Sequence, residues 1–136
     1  MTAYPQRPPH TKPGKITALT ILTLISGITN IVWALFATFM IVVGSMGIGL
    51  VCAPITILPL VLGIFEIIWA AKLLSTPPKP VQPSQTIAIA EIAAVLSGNV
   101  ISLAAGIMAL VFYNDPEVVA YFNQINARRP PPRPTV

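Results

Sequence analysis

Charge is scarce in this chain. Of its 136 residues only 9% are charged, while 54% are hydrophobic. A soluble domain carries roughly a quarter charged residues, so this composition cannot supply a water-facing surface for a globule of its size. Cysteine and histidine occur once each, as Cys52 and His10. A lone cysteine excludes an intrachain disulfide, and neither residue has the partners a zinc site needs. There is no Ser/His/Asp set and no glycine-rich phosphate loop in a useful context. Only Glu66 and Glu91 offer acid/base groups within the apolar segments, so the chain reads as a non-enzyme without a cofactor.

What is present is long apolar sequence. The composition is that of an all-α, polytopic membrane protein with the lipid bilayer as its solvent. The formal net charge of +4 raises the question of nucleic acid. The positions of the basic residues answer it. Arg7, Lys12, Lys15, Lys72, Lys79, Arg128, Arg129 and Arg133 all lie in tails or at the ends of apolar segments. That pattern sets membrane topology and touches anionic headgroups; it does not form a nucleic-acid face.

Residues 1–15 are polar and proline-rich and read as a disordered tail. From Ile16 to Leu74 the only charges are Glu66 and Lys72. This stretch is too long for one crossing of a ~30 Å core and suits two. Gly44, Gly47 and Gly49 mark a reversal, giving spans over about 16–42 and 50–73. Pro54 and Pro59 read as bends in the second span, tolerated where neighbours satisfy the freed carbonyls. Residues 75–84 hold four prolines and Lys79 and form a loop, and a third span follows over about 86–113. Asp115 and Pro116 open a short helix over 115–127, with Val118, Phe122 and Ile125 at helical spacing. It reads as an amphipathic helix lying in the membrane interface. Residues 128–136 are a Pro/Arg-rich tail. The first apolar run is too long for a cleaved signal and is expected to stay as an anchor. Two of the spans each hold a Glu, but the flanking residues suggest no internal repeat.

Lysine and arginine mark the cytoplasmic side. The N-terminal tail and the 72–79 region agree on a cytoplasmic N-terminus in a multi-pass protein of the cell membrane. Three crossings then send the arginines of the C-terminal tail outside. The alternatives are that the third span dips and returns, or that a fourth crossing exists.

Polar residues inside a membrane are costly and mark functional or paired groups. At about 1.5 Å per residue, Glu66 and Glu91 lie at similar depths from the 75–84 loop. Asn30 and Asn99 lie deeper, at a second common level. Thr23, Gly27, Asn30 and Ala34 form a small and polar stripe, as do Pro59, Gly63, Glu66 and Ala70. In the third span Ala90, Ala94, Gly98, Ser102 and Gly106 recur every four residues. Such a small-xxx-small ladder lets two helix backbones approach closely. Facing these stripes inward would bury both glutamates and both asparagines, with one or both carboxyls holding a proton. Trp33 and Trp69 are candidates for interfacial belts, Trp69 the better one. Arg128, Pro131 and Pro134 fit the spacing of a polyproline ligand, which reads more simply as a solvated tail.

The segment from Glu91 to Phe122, "EIAAVLSGNVISLAAGIMALVFYNDPEVVAYF", resembles the last span of small bacterial multi-pass membrane proteins with Pro-rich tails. The resemblance covers about a quarter of the chain, implies a polytopic membrane protein and brings no functional motif.

The expectation is a helical bundle of three spans, or four, acting through helix–helix association as an interaction or assembly component. Its partners would be further copies, as a homo-oligomer, or a larger membrane complex. The alternative is a small transporter or channel subunit, with Glu66 and Glu91 as a proton or cation site and Asn30 and Asn99 along the path.

Overall fold

A computed structural model describes residues 12–46, 51 and 53–127. The expectations for the two tails, His10, Cys52, Gly47 and Gly49 fall outside the described residues. Those described form five α-helices and no strand. Helix α1 spans Gly14–Gly44 and α2 spans Ala53–Leu74, running through Pro59. Both sequences are apolar almost throughout, and a helix satisfies its own backbone hydrogen bonds where water is absent. α1 and the Ile55–Leu74 part of α2 are long and apolar enough to cross a membrane.

The two run antiparallel. Lys12 Nζ donates to Leu73 O at 2.9 Å at one end, and Thr38 Oγ1 donates to Thr56 Oγ1 at 2.8 Å toward the other. Gly27 and Gly63 sit where they cross. A Cβ on Gly63 would lie 2.5 Å from Gly27 O, so these backbones touch.

The expected continuous helix over 86–113 is broken. Helix α3 covers Gln85–Ala93, a 3-10 turn covers Ala94–Ser97, and α4 covers Val100–Tyr113. Gly98 has φ +88°, which only glycine adopts without strain, and it ends the turn. Asn99 then caps α4, its side chain accepting from Ser102 N at 3.2 Å. Ser84 caps α3 in the same way, accepting from Ile87 N at 3.2 Å. α4 doubles back along α3: a Cβ on Gly106 would lie 2.5 Å from Ala88 O. Residues 85–113 are therefore a helical hairpin, the dip-and-return arrangement.

The break also dissolves the small-residue ladder. Ser102 and Gly106 are buried on α4, Ala94 is buried in the turn, Ala90 is half-buried on α3, and Gly98 is exposed at the hairpin's tip. They do not form one face.

Helix α5, Pro116–Asn126, leaves α4 at 81°. Asp115 caps it, accepting from Glu117 N at 3.0 Å. Its apolar side packs against the rest of the chain. Val118, Tyr121, Phe122 and Ile125 are buried in one cluster with Ile16, Leu19, Trp69, Leu73 and Val81. Trp69 is buried there too, packed against Tyr113 and Phe122 with its Nε1 donating to Gln82 O at 2.9 Å. α5 thus closes the end of the bundle.

That end gathers more than one terminus. Lys15 Nζ bonds Asp115 Oδ2 at 2.6 Å and approaches Glu117 at 3.5 Å. Asn126 Nδ2 donates to Val81 O at 3.0 Å. The start of α1, the loop after α2 and the end of α5 therefore share one end of the molecule. The expected separation of the two tails by a third crossing does not follow from this geometry.

Candidate intramembrane polar site

The four helices meet through a short sequence unit. Gly27-Ile-Thr-Asn30-Ile31, Gly63-Ile-Phe-Glu66-Ile67 and Ala88-Ile-Ala-Glu91-Ile92 share the pattern small-Ile-x-polar-Ile, and Gly106-Ile-Met-Ala109-Leu110 is an apolar version. The contacts repeat with it. A Cβ on Gly27 would meet Gly63 O, Ile67 Cγ1 and Glu66 Cβ; one on Gly63 would meet Gly27 O, Ile31 Cγ1 and Asn30 Cβ; one on Gly106 would meet Ala88 O, Ile92 Cγ1 and Glu91 Cβ. The same small residue in the same register builds both helix pairs, α1–α2 and α3–α4. An internal repeat exists after all, five residues long.

This unit places Asn30, Glu66 and Glu91 three residues after a close backbone contact, so each side chain enters the space between the pairs. Asn30, Glu66, Glu91, Ser26 and Ser102 have no exposed surface, and Asn99 has 5%. Asn30 Nδ2 donates to both oxygens of Glu66, at 3.0 and 3.2 Å. Asn30 Oδ1 accepts from Asn99 Nδ2 at 2.7 Å and from Ser102 Oγ at 2.9 Å. Ser26 Oγ lies 3.0 Å from Ser102 Oγ and 3.5 Å from Glu66 Oε1. Because Ser102 spends its proton on Asn30, the shorter serine contact is Ser26 donating to Ser102.

The donors therefore run one way: Ser26 to Ser102 to Asn30, and Asn99 to Asn30, with Asn30 passing the polarity to Glu66. Glu91 stands beyond the end of this chain. Both of its carboxyl oxygens are buried with no hydrogen-bond partner among the described residues. Tyr113 closes α4 toward the capped end, its ring set edge-on to Trp69 and Phe122.

The structure buries all four expected polar residues and joins three of them, Asn30, Glu66 and Asn99, by hydrogen bonds, while Glu91 has none. The sequence reasoning placed the two glutamates at one level and the two asparagines at another, and the chain joins both levels into one network. It overlooked Ser26, assigned Ser102 to packing and passed over Tyr113. Ser26 precedes the Gly27 unit directly, and that adjacency was the available signal.

Among the described residues no three His, Cys, Asp or Glu side chains converge. Neither glutamate is ion-paired, since the salt bridges join Lys15 to Asp115 and Glu117. The chemistry on offer is that of two buried carboxyls, one of them, Glu66, with amide and hydroxyl groups aligned on it. Comparison with known protein families, curated proteins and solved structures gives no match.

Proposed function

We propose that this chain is a non-enzymatic integral membrane protein that acts as an interaction or assembly component, with both termini in the cytoplasm. One observation carries the reading. The α3–α4 hairpin stops at the level of Asn30, where its tip meets α1 through the Asn99 to Asn30 bond and the contact of Gly98 with Trp33. α1 continues to Gly44, fourteen residues or about 21 Å further. Beyond the tip, α1 and the first half of α2 are a bare pair with exposed Val32, Phe36, Phe39, Met40, Ile57 and Leu58. Three of the five small-residue positions expected to drive association, Ala94, Ser102 and Gly106, are buried within the chain, and association moves to this pair. A second copy is the partner tested. In a Cys52→Ala background, cysteines at Phe36 or Phe39 should cross-link between copies in native membranes, while one at Ile107 on α4 should not. Monomers at all three positions would refute self-association.

The common end that holds residue 12, the loop and residue 127 supports the sidedness, since it also gathers Lys12, Lys15, Lys72 and Lys79. Reporter fusions at residues 1 and 136 should both read cytoplasmic.

A second reading, a small transporter or channel subunit, draws on Glu91, whose carboxyl is fully buried with no hydrogen-bond partner among the described residues. Under it Glu66→Gln and Glu91→Gln abolish flux and leave assembly intact; under the first both are tolerated.

A further inference from the structure

We infer that the chain is a wedge in the bilayer, broad in the leaflet at its capped end and narrow in the other, and that it gathers where the broad leaflet is convex. The inference rests on the membrane reading and not on self-association, since one copy is enough. Two helices give the depth of the hairpin independently. Asn30, which receives the tip through Asn99, is the neighbour of Thr29, the middle residue of α1. The Ile55–Leu74 crossing centres on Ile64 and Phe65, and Glu66, which Asn30 meets, comes next. The hairpin tip therefore stops at mid-bilayer. Helices α1 to α4 fill the leaflet toward the cap, and α1 and α2 alone fill the other. A helix is about 10–12 Å across, so two more of them displace roughly 200 Å². α5 turns from α4 by 81° and adds its length across the broad end.

The tip suits lipid rather than water. Leu96 is 91% exposed and Val100 68%, with Ile101 beside them. Asn99, the long polar side chain of the turn, is buried against Asn30. The 75–84 loop, at the other end of the hairpin, carries Lys79 and four prolines instead. The backbone of the turn is served from within. Gly98 N donates to Val95 O at 2.8 Å, Leu103 N to Asn99 O at 3.4 Å and Ser102 N to Asn99 Oδ1 at 3.2 Å. Irregular backbone is held at membrane depth only where the protein satisfies its polar groups. A body wider in one leaflet spreads that leaflet, and bending the bilayer convex on that side accommodates it. Lys12, Lys15, Lys72 and Lys79 lie at the broad end, so the surface selected is a bilayer convex toward the cytoplasm.

The test uses the full chain in phosphatidylcholine vesicles and has two readings. For depth, Leu96→Cys and Val32→Cys in a Cys52→Ala background each carry an environment-sensitive dye, quenched by nitroxides on the lipid chain end or headgroup. Both dyes should be quenched most from the chain end. Water at both sites overturns the membrane reading itself. Lipid at Val32 with water or headgroup at Leu96 overturns the wedge alone. For curvature, a fluorescent tag after residue 136 marks the broad end, and thin tubes are drawn outward from giant vesicles at sparse protein density. Outward-facing tags, relative to a lipid dye, should be denser in the tube than on the vesicle, increasingly so as the tube narrows. After a membrane-impermeant reductant bleaches them, the remaining lumenal tags should be depleted in the tube. Equal densities in tube and vesicle, or the same sign for both orientations, overturn the wedge. The tube reading needs no variant, so a misfolded cysteine protein leaves the proposal decidable.

Discussion

Replacing Gly63 by alanine tests the close crossing of α1 and α2 with a single methyl group. The added Cβ would stand 2.5 Å from Gly27 O, 2.9 Å from Ile31 Cγ1 and 3.1 Å from Asn30 Cβ. The isoleucine tip can turn aside; a backbone carbonyl cannot. A carbon normally stops about 3.3 Å from a carbonyl oxygen, so the helices must part by about 0.8 Å. The Asn30 to Glu66 bonds, at 3.0 and 3.2 Å, span the same crossing and would stretch beyond hydrogen-bond range. Overpacking costs about 1–3 kcal/mol, and a lost interhelical hydrogen bond in a membrane costs about 0.6–1.7 kcal/mol. Together they predict a loss of about 2–4 kcal/mol. Gly44→Ala is the matched control, because nothing lies within 4 Å of a Cβ there. It should be neutral or gain up to about 1 kcal/mol from helix propensity. Denaturant unfolding in mixed micelles, followed by circular dichroism and pulse proteolysis, compares the two. If Gly63→Ala and Gly44→Ala unfold together, the backbones do not touch and the account of the crossing fails.

Asn30→Ala removes the amide that links Glu66 to Asn99 and Ser102. It should cost about 1–3 kcal/mol in the same assay, well above Ser26→Ala, which removes one hydroxyl donor. Gly98→Ala puts a side chain on a residue with φ +88°; it should cost about 1–2 kcal/mol and raise proteolysis at the α3–α4 turn, without either effect in Ala94→Gly beyond ordinary propensity. The Lys15 ammonium, hydrogen-bonded to Asp115, holds that carboxyl below the usual aspartate range. The pairing therefore adds stability above that range and loses it as pH falls through the depressed value. Trp69 fluorescence should report loosening of the α5 cap below about pH 4, and Asp115→Asn should remove that dependence.

The apolar runs, the proline loop and the polar quartet were legible because each rests on composition or on spacing along one helix. Asn30, Glu66, Glu91 and Asn99 stood out through the cost of burying them in lipid, and that cost is what forces them together. The hairpin at 94–99 was hidden by a coincidence of spacing. Ala90, Ala94, Gly98, Ser102 and Gly106 keep a four-residue period straight through the break, so one continuous helix and two helices joined by a turn share the same small residues. The distinguishing signal was local: Gly98 followed by Asn99 is a helix stop followed by a helix start. α5 was recognised as amphipathic, but periodicity cannot say whether an apolar stripe meets lipid or protein. Here Trp69, Leu73 and Val81, distant in sequence, supply the surface. The five-residue unit went unseen because only its second position, Ile, is the same in all four copies, and its meaning lies in contacts.

Under the proposed membrane setting, the shortness of α3 and α4 implies an order of events during biogenesis. At nine and fourteen residues, neither reaches the roughly 20 that a helix needs to cross a bilayer unaided. α1 and α2 can be released into lipid as each emerges from the insertion machinery. The second hairpin has no stable place there until the surface presenting Ser26, Asn30 and Glu66 exists to receive it. Its Asn99 and Ser102 side chains would otherwise sit in hydrocarbon without the Asn30 carbonyl that receives them. The first pair is thus the receptor on which the second folds, and a ribosome that stalls before residue 85 leaves a membrane-anchored intermediate whose polar groups are still waiting to be closed.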